Sequence, residues 1–160
     1  MKSSAALLFL TGLLSCCTPS SNWQLTSISM GEKNFDSTRL CYTSENPLGG
    51  MNLEFFCTDG VVTGYLSTPS RRIRPDNAAF VRMQTETIEI PLALHEGCMR
   101  LRLPDDITTK VALALQEEQP VTIVIGSLEQ TFQAEQFSLL FHKLTENSHG
   151  FFGSFQGILP

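Results

Sequence analysis

Residues 51–67 read MNLEFFCTDGVVTGYLS. Two β-prone runs, 51–57 and 61–67, flank Thr58-Asp59-Gly60. An Asp-Gly between two such runs is a strong mark of a β-hairpin, because both residues tolerate the positive φ that a tight two-residue turn requires. The hairpin fixes the body as β-rich, and its neighbours on both sides agree.

Upstream, residues 23–30 read as a first strand with weak alternation. Residues 30–37 are polar and contain Gly31, as in a loop, and 38–43 form a short second strand carrying Cys41. Downstream, residues 68–77 (TPSRRIRPDN) form a loop by their prolines and polar side chains. Residues 78–85 and 87–94 read as strands. Pro91 cannot donate to a ladder, so the second is an edge strand or ends there. Residues 98–103 alternate, with Met99, Leu101 and Leu103 on one face and Cys98, Arg100 and Arg102 on the other.

The pattern then changes period. Asp106 is placed to cap a helix, with Ile107, Val111, Ala114 and Leu115 on one face. Residues 121–126 (VTIVIG) are a continuous apolar run and read as a central strand. Residues 134–144 place Phe137, Leu140, Phe141 and Leu144 on one helical face, against a competing strand reading through Phe137, Leu139 and Phe141. In the helical reading His142 and Lys143 fall in the last turn. The Phe- and Gly-rich tail, 150–160, is read as a last strand, or as an apolar edge open to a partner segment. The sum is an α+β domain, mainly β and sandwich-like, with one or two short helices, spanning 23–160.

The N-terminus carries a different message. Met1-Lys2 is followed by an apolar run over residues 5–14, broken only by Thr11 and Gly12, and the run stops at Cys16-Cys17. At about 10 residues it is half the roughly 20 needed to cross a bilayer, and it has the length of a signal-peptide core. Leu13-Leu14-Ser15-Cys16 resembles the lipobox of bacterial lipoproteins. The resemblance implies a signal peptide over 1–15, diacylglycerol on Cys16 and further acylation such as palmitate. A lipidated tether would then follow over 16–22, rich in Thr, Pro, Ser and Asn. A cut before Cys17, or an ordinary buried apolar helix, are the competing readings. Two or three acyl chains anchor stably where one does not. In that family an aspartate after the lipid cysteine favours the inner membrane. Here the residue is Cys17, which points to the outer membrane or surface of a double envelope.

With 11 basic and 16 acidic residues the chain carries −5 at pH 7, which argues against nucleic acid as a partner. Outside the cytoplasm disulfides are permitted. Cys41 with Cys57 is the preferred pair, on neighbouring strands, and would contribute about 3 kcal/mol. Cys57 with Cys98 remains open. His95-Glu96-Gly97-Cys98 and Ser148-His149 hold nucleophile and base types, yet neither spacing brings the pair face to face on a regular strand. His95, His142 and His149 lack metal-ligand spacing, and no cofactor motif is present. Arg71, Arg72 and Arg74 form the one basic cluster, suited to an acidic partner or lipid headgroups.

These readings predict a lipid-anchored bacterial envelope protein. Its body is a non-catalytic binding or assembly module at a membrane surface, held by N-terminal acyl chains and facing a protein partner. The alternatives are an envelope hydrolase and a carrier of a small apolar ligand.

Overall fold

The computed structural model describes residues 22–28, 37–46, 49–69, 72–74, 77–91, 94–95 and 99–149. The elements in chain order begin with β1 (Trp23–Ile28), β2 (Ser37–Tyr42), β3 (Asn52–Thr58) and β4 (Val61–Ser67). They continue through β5 (Ala79–Arg82), β6 (Thr87–Glu89), β7 (Leu94–His95) and β8 (Arg100–Arg102). The helix α1 (Asp105–Gln116), the strands β9 (Val121–Ile125) and β10 (Leu128–Phe132) and the helix α2 (Phe137–His149) complete them. The fold is mainly β with two short helices.

Two antiparallel sheets result, in the orders β1-β2-β3-β4-β8-β7 and β10-β9-β5-β6. The β3–β4 turn closes at the pair Thr58–Val61. Both of its central residues have positive φ, Asp59 at 51° and Gly60 at 77°. That is the type I′ geometry whose twist matches the flanking strands. β9 is central, as its unbroken apolar run predicts, and β6 is an edge strand ending just before Pro91.

One core serves both sheets. Leu40, Tyr42, Leu53, Phe55, Leu66 and Leu101 face it from the larger sheet. Val81, Val121, Ile123, Ile125 and Phe132 face it from the smaller one, and Ile107, Val111, Leu115, Phe137, Phe141 and Leu144 from the helices. Its centre is aromatic. Trp23 meets Tyr42 edge-on at 5.0 Å and Phe137 at 4.7 Å, and Phe55 meets Phe137 at 5.5 Å. Such pairs add about 0.5–1.5 kcal/mol each beyond their burial. The Trp23 indole N–H also donates to the Gln133 carbonyl at 2.6 Å, tying β1 to the entry of α2.

Several expectations change on contact with this fold. Asp106 does not cap α1. Pro104 holds the cap position without a side-chain bond, and both Asp105 and Asp106 lie in the first turn, where the helix dipole favours them. The helix reading of α2 prevails over the strand, because Leu139 is exposed while Phe137, Phe141 and Leu144 are buried. The helix begins three residues later than predicted and continues to His149, so His142 and Lys143 are interior to it. Met99 is exposed and lies in the turn before β8, not on the core face. Ile73, inside the predicted solvated loop, is buried in the core.

The Cys41–Cys57 bridge is absent. Cys41 sits opposite Glu54, and Arg39 opposite Phe56. Because side chains alternate along a strand, Cys41 shares the outer face with Glu54, whereas Cys57 packs on the core side with Leu53 and Phe55. The sheet itself stands between the two sulfurs. Cys98, the other proposed partner of Cys57, lies outside the described residues. So do the predicted signal and lipidation segment with Cys16 and Cys17, and the predicted last strand over 150–160.

Candidate functional site

The outer face of the larger sheet, turned away from the helices and the second sheet, carries a cationic and aromatic cluster. Strand register builds it. Cys41, Glu54, Tyr65 and Arg102 are successive cross-strand partners through β2, β3, β4 and β8. Arg39 and Phe56 form the adjoining row, and Arg100 faces Ser67 on the other side.

From there the Arg100 guanidinium crosses β4. It lies 4.2 Å from the Tyr65 ring centroid and 5.6 Å from that of Phe56. Its Nη2 then donates to Glu54 Oε2 at 3.0 Å. Phe56 and Tyr65 themselves meet edge-to-face at 5.5 Å. Arg39 approaches the other carboxylate oxygen, Nη1 to Oε1, at 3.6 Å. Arg102 pairs with Asp105 at 3.0 Å across the start of α1.

The Glu54 side chain is only 12% exposed, while those of Arg39 and Arg100 remain about one-third exposed. The Nε–H groups of Arg39 and Arg100 are buried without an acceptor. Beside them, burial and then the Glu54 carboxylate push the Cys41 thiol above its ordinary value. It therefore stays protonated near neutrality and is a poor nucleophile.

A second feature is an open cleft of about 820 Å³ where the end of α1 meets the start of α2. Gln116, Glu118, Gln133, Glu135, Ser138 and His142 contribute to its lining. Two of its residues hold positive φ, Glu118 at 60° and Gln136 at 63°. Glu118 is the left-handed residue of a Schellman cap. Its N–H bonds to the Leu115 carbonyl, and that of Gln119 to the Ala114 carbonyl.

His142 Nε2 meets Glu146 Oε1 at 3.1 Å, one turn along an exposed helix face, and not Ser138. Among the described residues no group of three His, Cys, Asp or Glu side chains is placed to hold a metal ion. Phe55, Phe132 and Phe137 fill the core and do not line the cleft, whose walls mix polar side chains with Ala134 and Leu139. Of the predicted arginine cluster, Arg72 and Arg74 are exposed on either side of buried Ile73. Arg71 lies outside the described residues, as do Glu96, Gly97 and Cys98.

Sequence reading placed Arg100 and Arg102 on an outer strand face. It does not show Glu54 as the acceptor of Arg100, nor Arg39 as the second arginine on that carboxylate. The available signal was the alternation in STRLCY and NLEFFCT, but assigning partners needs the register between strands.

No family model matches the chain, and no curated protein does. Among solved structures, the crystal structure of invasion associated protein b from Bartonella henselae is similar. Its TM-score is 0.56 at 14% identity, over 81% of this chain and 95% of that one. That likeness shows the fold and carries no activity across.

Proposed function

We propose that the protein is a lipid-anchored envelope protein of a bacterium, serving as a non-catalytic binding or assembly module at a membrane surface. The carrying observation is the apolar run ending in Leu13-Leu14-Ser15-Cys16, followed within a few residues by β1 at Trp23. A tether over 16–22 spans roughly 25 Å when fully extended, at about 3.5 Å per residue. Acyl chains on Cys16 therefore hold the domain close to the bilayer and raise its local concentration there, so a modest affinity for a partner suffices. The absence of Asp after Cys16 favours the outer membrane or the surface over the inner membrane. The filled core and the open cationic face support binding over catalysis.

Metabolic acyl labelling of the wild type beside Cys16→Ser, with membrane fractionation of both, tests the reading. Label and membrane association that vanish in Cys16→Ser support it. Absence of label in both chains refutes it.

A further inference from the structure

We propose that the outer face of the larger sheet takes the carboxylates of an acidic, extended segment of a partner protein. In this site Arg39 and Arg100 are the binding cations and Phe56 and Tyr65 the platform. The inference rests on the binding-module reading and gives that module its contact surface.

Charge is the first argument. The face gathers Arg39, Arg100 and Arg102 against Glu54 and Asp105, so it is net positive on a chain of net charge −5. An acidic segment is drawn to this face and repelled by the rest of the chain.

Geometry is the second. Glu54 already shows how a carboxylate seats here. One oxygen meets Arg100 at 3.0 Å, and the other lies 3.6 Å from Arg39, beyond the 2.7–2.9 Å typical of a charge-assisted hydrogen bond. Arg39 is therefore loosely held, with a donor fork left for another acceptor. Arg100 is stacked on Tyr65, so its planar fork is oriented before any partner arrives and loses little freedom on binding.

Shape selects a peptide among anions. The face also displays the rings of Phe56 and Tyr65, and Val61 is 61% exposed at its hairpin end. Apolar side chains between the carboxylates of an extended segment find contacts there. A polyanion that spreads beyond the face meets the acidic remainder of the chain.

The test uses the full chain carrying Cys16→Ser, so that acyl chains play no part. The probe is a fluorescein-labelled peptide of ten residues alternating Glu and Leu, followed by anisotropy at low and at physiological salt. The expected result is salt-sensitive binding by the parent. Arg39→Ala/Arg100→Ala should weaken it at least tenfold, and Arg72→Ala/Arg74→Ala should leave it within twofold. Glu54→Gln, which removes the internal competitor, should tighten it at least twofold. A purely structural role for Glu54 predicts the opposite sign, and Arg100→Lys, which keeps the charge, guards against misfolding by falling between parent and double variant.

No binding by the parent overturns the proposal, as does equal binding by the double variant or weaker binding by Glu54→Gln. Phosphatidylglycerol vesicles captured through Arg39 and Arg100 while the peptide is not would also overturn it in favour of a lipid surface. Acyl labelling of Cys16 is independent of all these outcomes, so failure here leaves the anchored-module reading standing.

Discussion

Replacing Gly64 by alanine measures how closely the larger sheet and α1 approach. Gly64 lies on the core side of β4. A Cβ there would stand 2.8 Å from Thr108 Oγ1, 3.1 Å from Thr108 Cγ2 and 3.3 Å from Leu103 Cδ1. Gly60 and Gly126, not Gly64, are the described glycines with positive φ, so the cost at Gly64 is steric and not conformational. Overpacking of this kind costs about 1–3 kcal/mol. The lower unfolded-state entropy of alanine returns about 0.4–1 kcal/mol. The net loss expected is about 1–2 kcal/mol. Thr108→Ala removes both of the nearest atoms. Alone it forfeits a buried methyl and the weak hydroxyl bond to the Leu103 carbonyl at 3.4 Å, together about 1–2 kcal/mol. In the double variant the two closest contacts are gone and only that with Leu103 Cδ1 at 3.3 Å remains, so its loss should fall about 1–2 kcal/mol short of the sum of the singles. Urea unfolding reads this directly. With a slope of about 1–3 kcal/mol per molar, each kcal/mol moves the midpoint by about 0.3–1 M. Losses that add to within about 0.5 kcal/mol, or a Gly64→Ala midpoint equal to the parent's, would refute the close approach as the cause.

Three further outcomes are expected. Phe137→Ala empties the meeting point of Trp23, Phe55 and Phe141 and should cost about 3–5 kcal/mol in denaturant unfolding, a large share of a typical domain's stability. Glu118→Gly should raise the unfolding free energy by about 0.5–1 kcal/mol, because glycine carries no Cβ penalty at the left-handed residue of the Schellman cap. Glu118→Ala, which removes the carboxylate but keeps the strain, should not reproduce that gain. Glu54→Gln should lower the Cys41 pKa, since the carboxylate is the second cause, after burial, of its elevation. Iodoacetamide labelling of Cys41, followed by peptide mass mapping across pH 7–10, should then reach half-maximal rate at lower pH in the variant than in the parent.

The parts of the fold legible in the sequence are those that local chemistry decides. Asp59-Gly60 admits positive φ at both turn positions, and the hairpin follows wherever the rest of the chain goes. The apolar face of Ile107, Val111 and Leu115 is a property of one helix alone. The β9–β10 hairpin shows where local reading stopped short. Gly126 closes the apolar run 121–126, yet with φ 56° it opens a two-residue turn that pairs Ile125 with Leu128. The following LEQTF is too polar to announce a strand, and it is one because Phe132 packs on Tyr42 at 5.0 Å. The Cys41–Cys57 pairing failed for a related reason. Strand adjacency follows from the sequence, but a shift of one residue in register exchanges the faces of a strand, and register is a long-range quantity. The candidate face has the same origin. Arg39, Glu54 and Arg100 come from three strands far apart in sequence, and no local pattern joins them.

Stability alone is a weak reason for that cluster. Partly exposed ion pairs contribute about 0–1 kcal/mol, and a carboxylate that is 12% exposed surrenders much of its hydration to make them. The two guanidinium groups also surrender water at Nε with no acceptor in exchange. Threonine, valine or another β-branched residue at these positions would satisfy an open sheet face with cross-strand packing and no buried charge. Lysine at the same positions would keep its ammonium in water at lower desolvation cost. The chain instead places two arginines around one glutamate over a pair of aromatic rings. That arrangement offsets its desolvation cost most fully when a further acceptor meets the guanidinium donors that remain accessible, since the side chains of Arg39 and Arg100 are about one-third exposed. A cluster of this composition, on the face that neither helix covers, is accordingly better explained by what it holds than by what it stabilises.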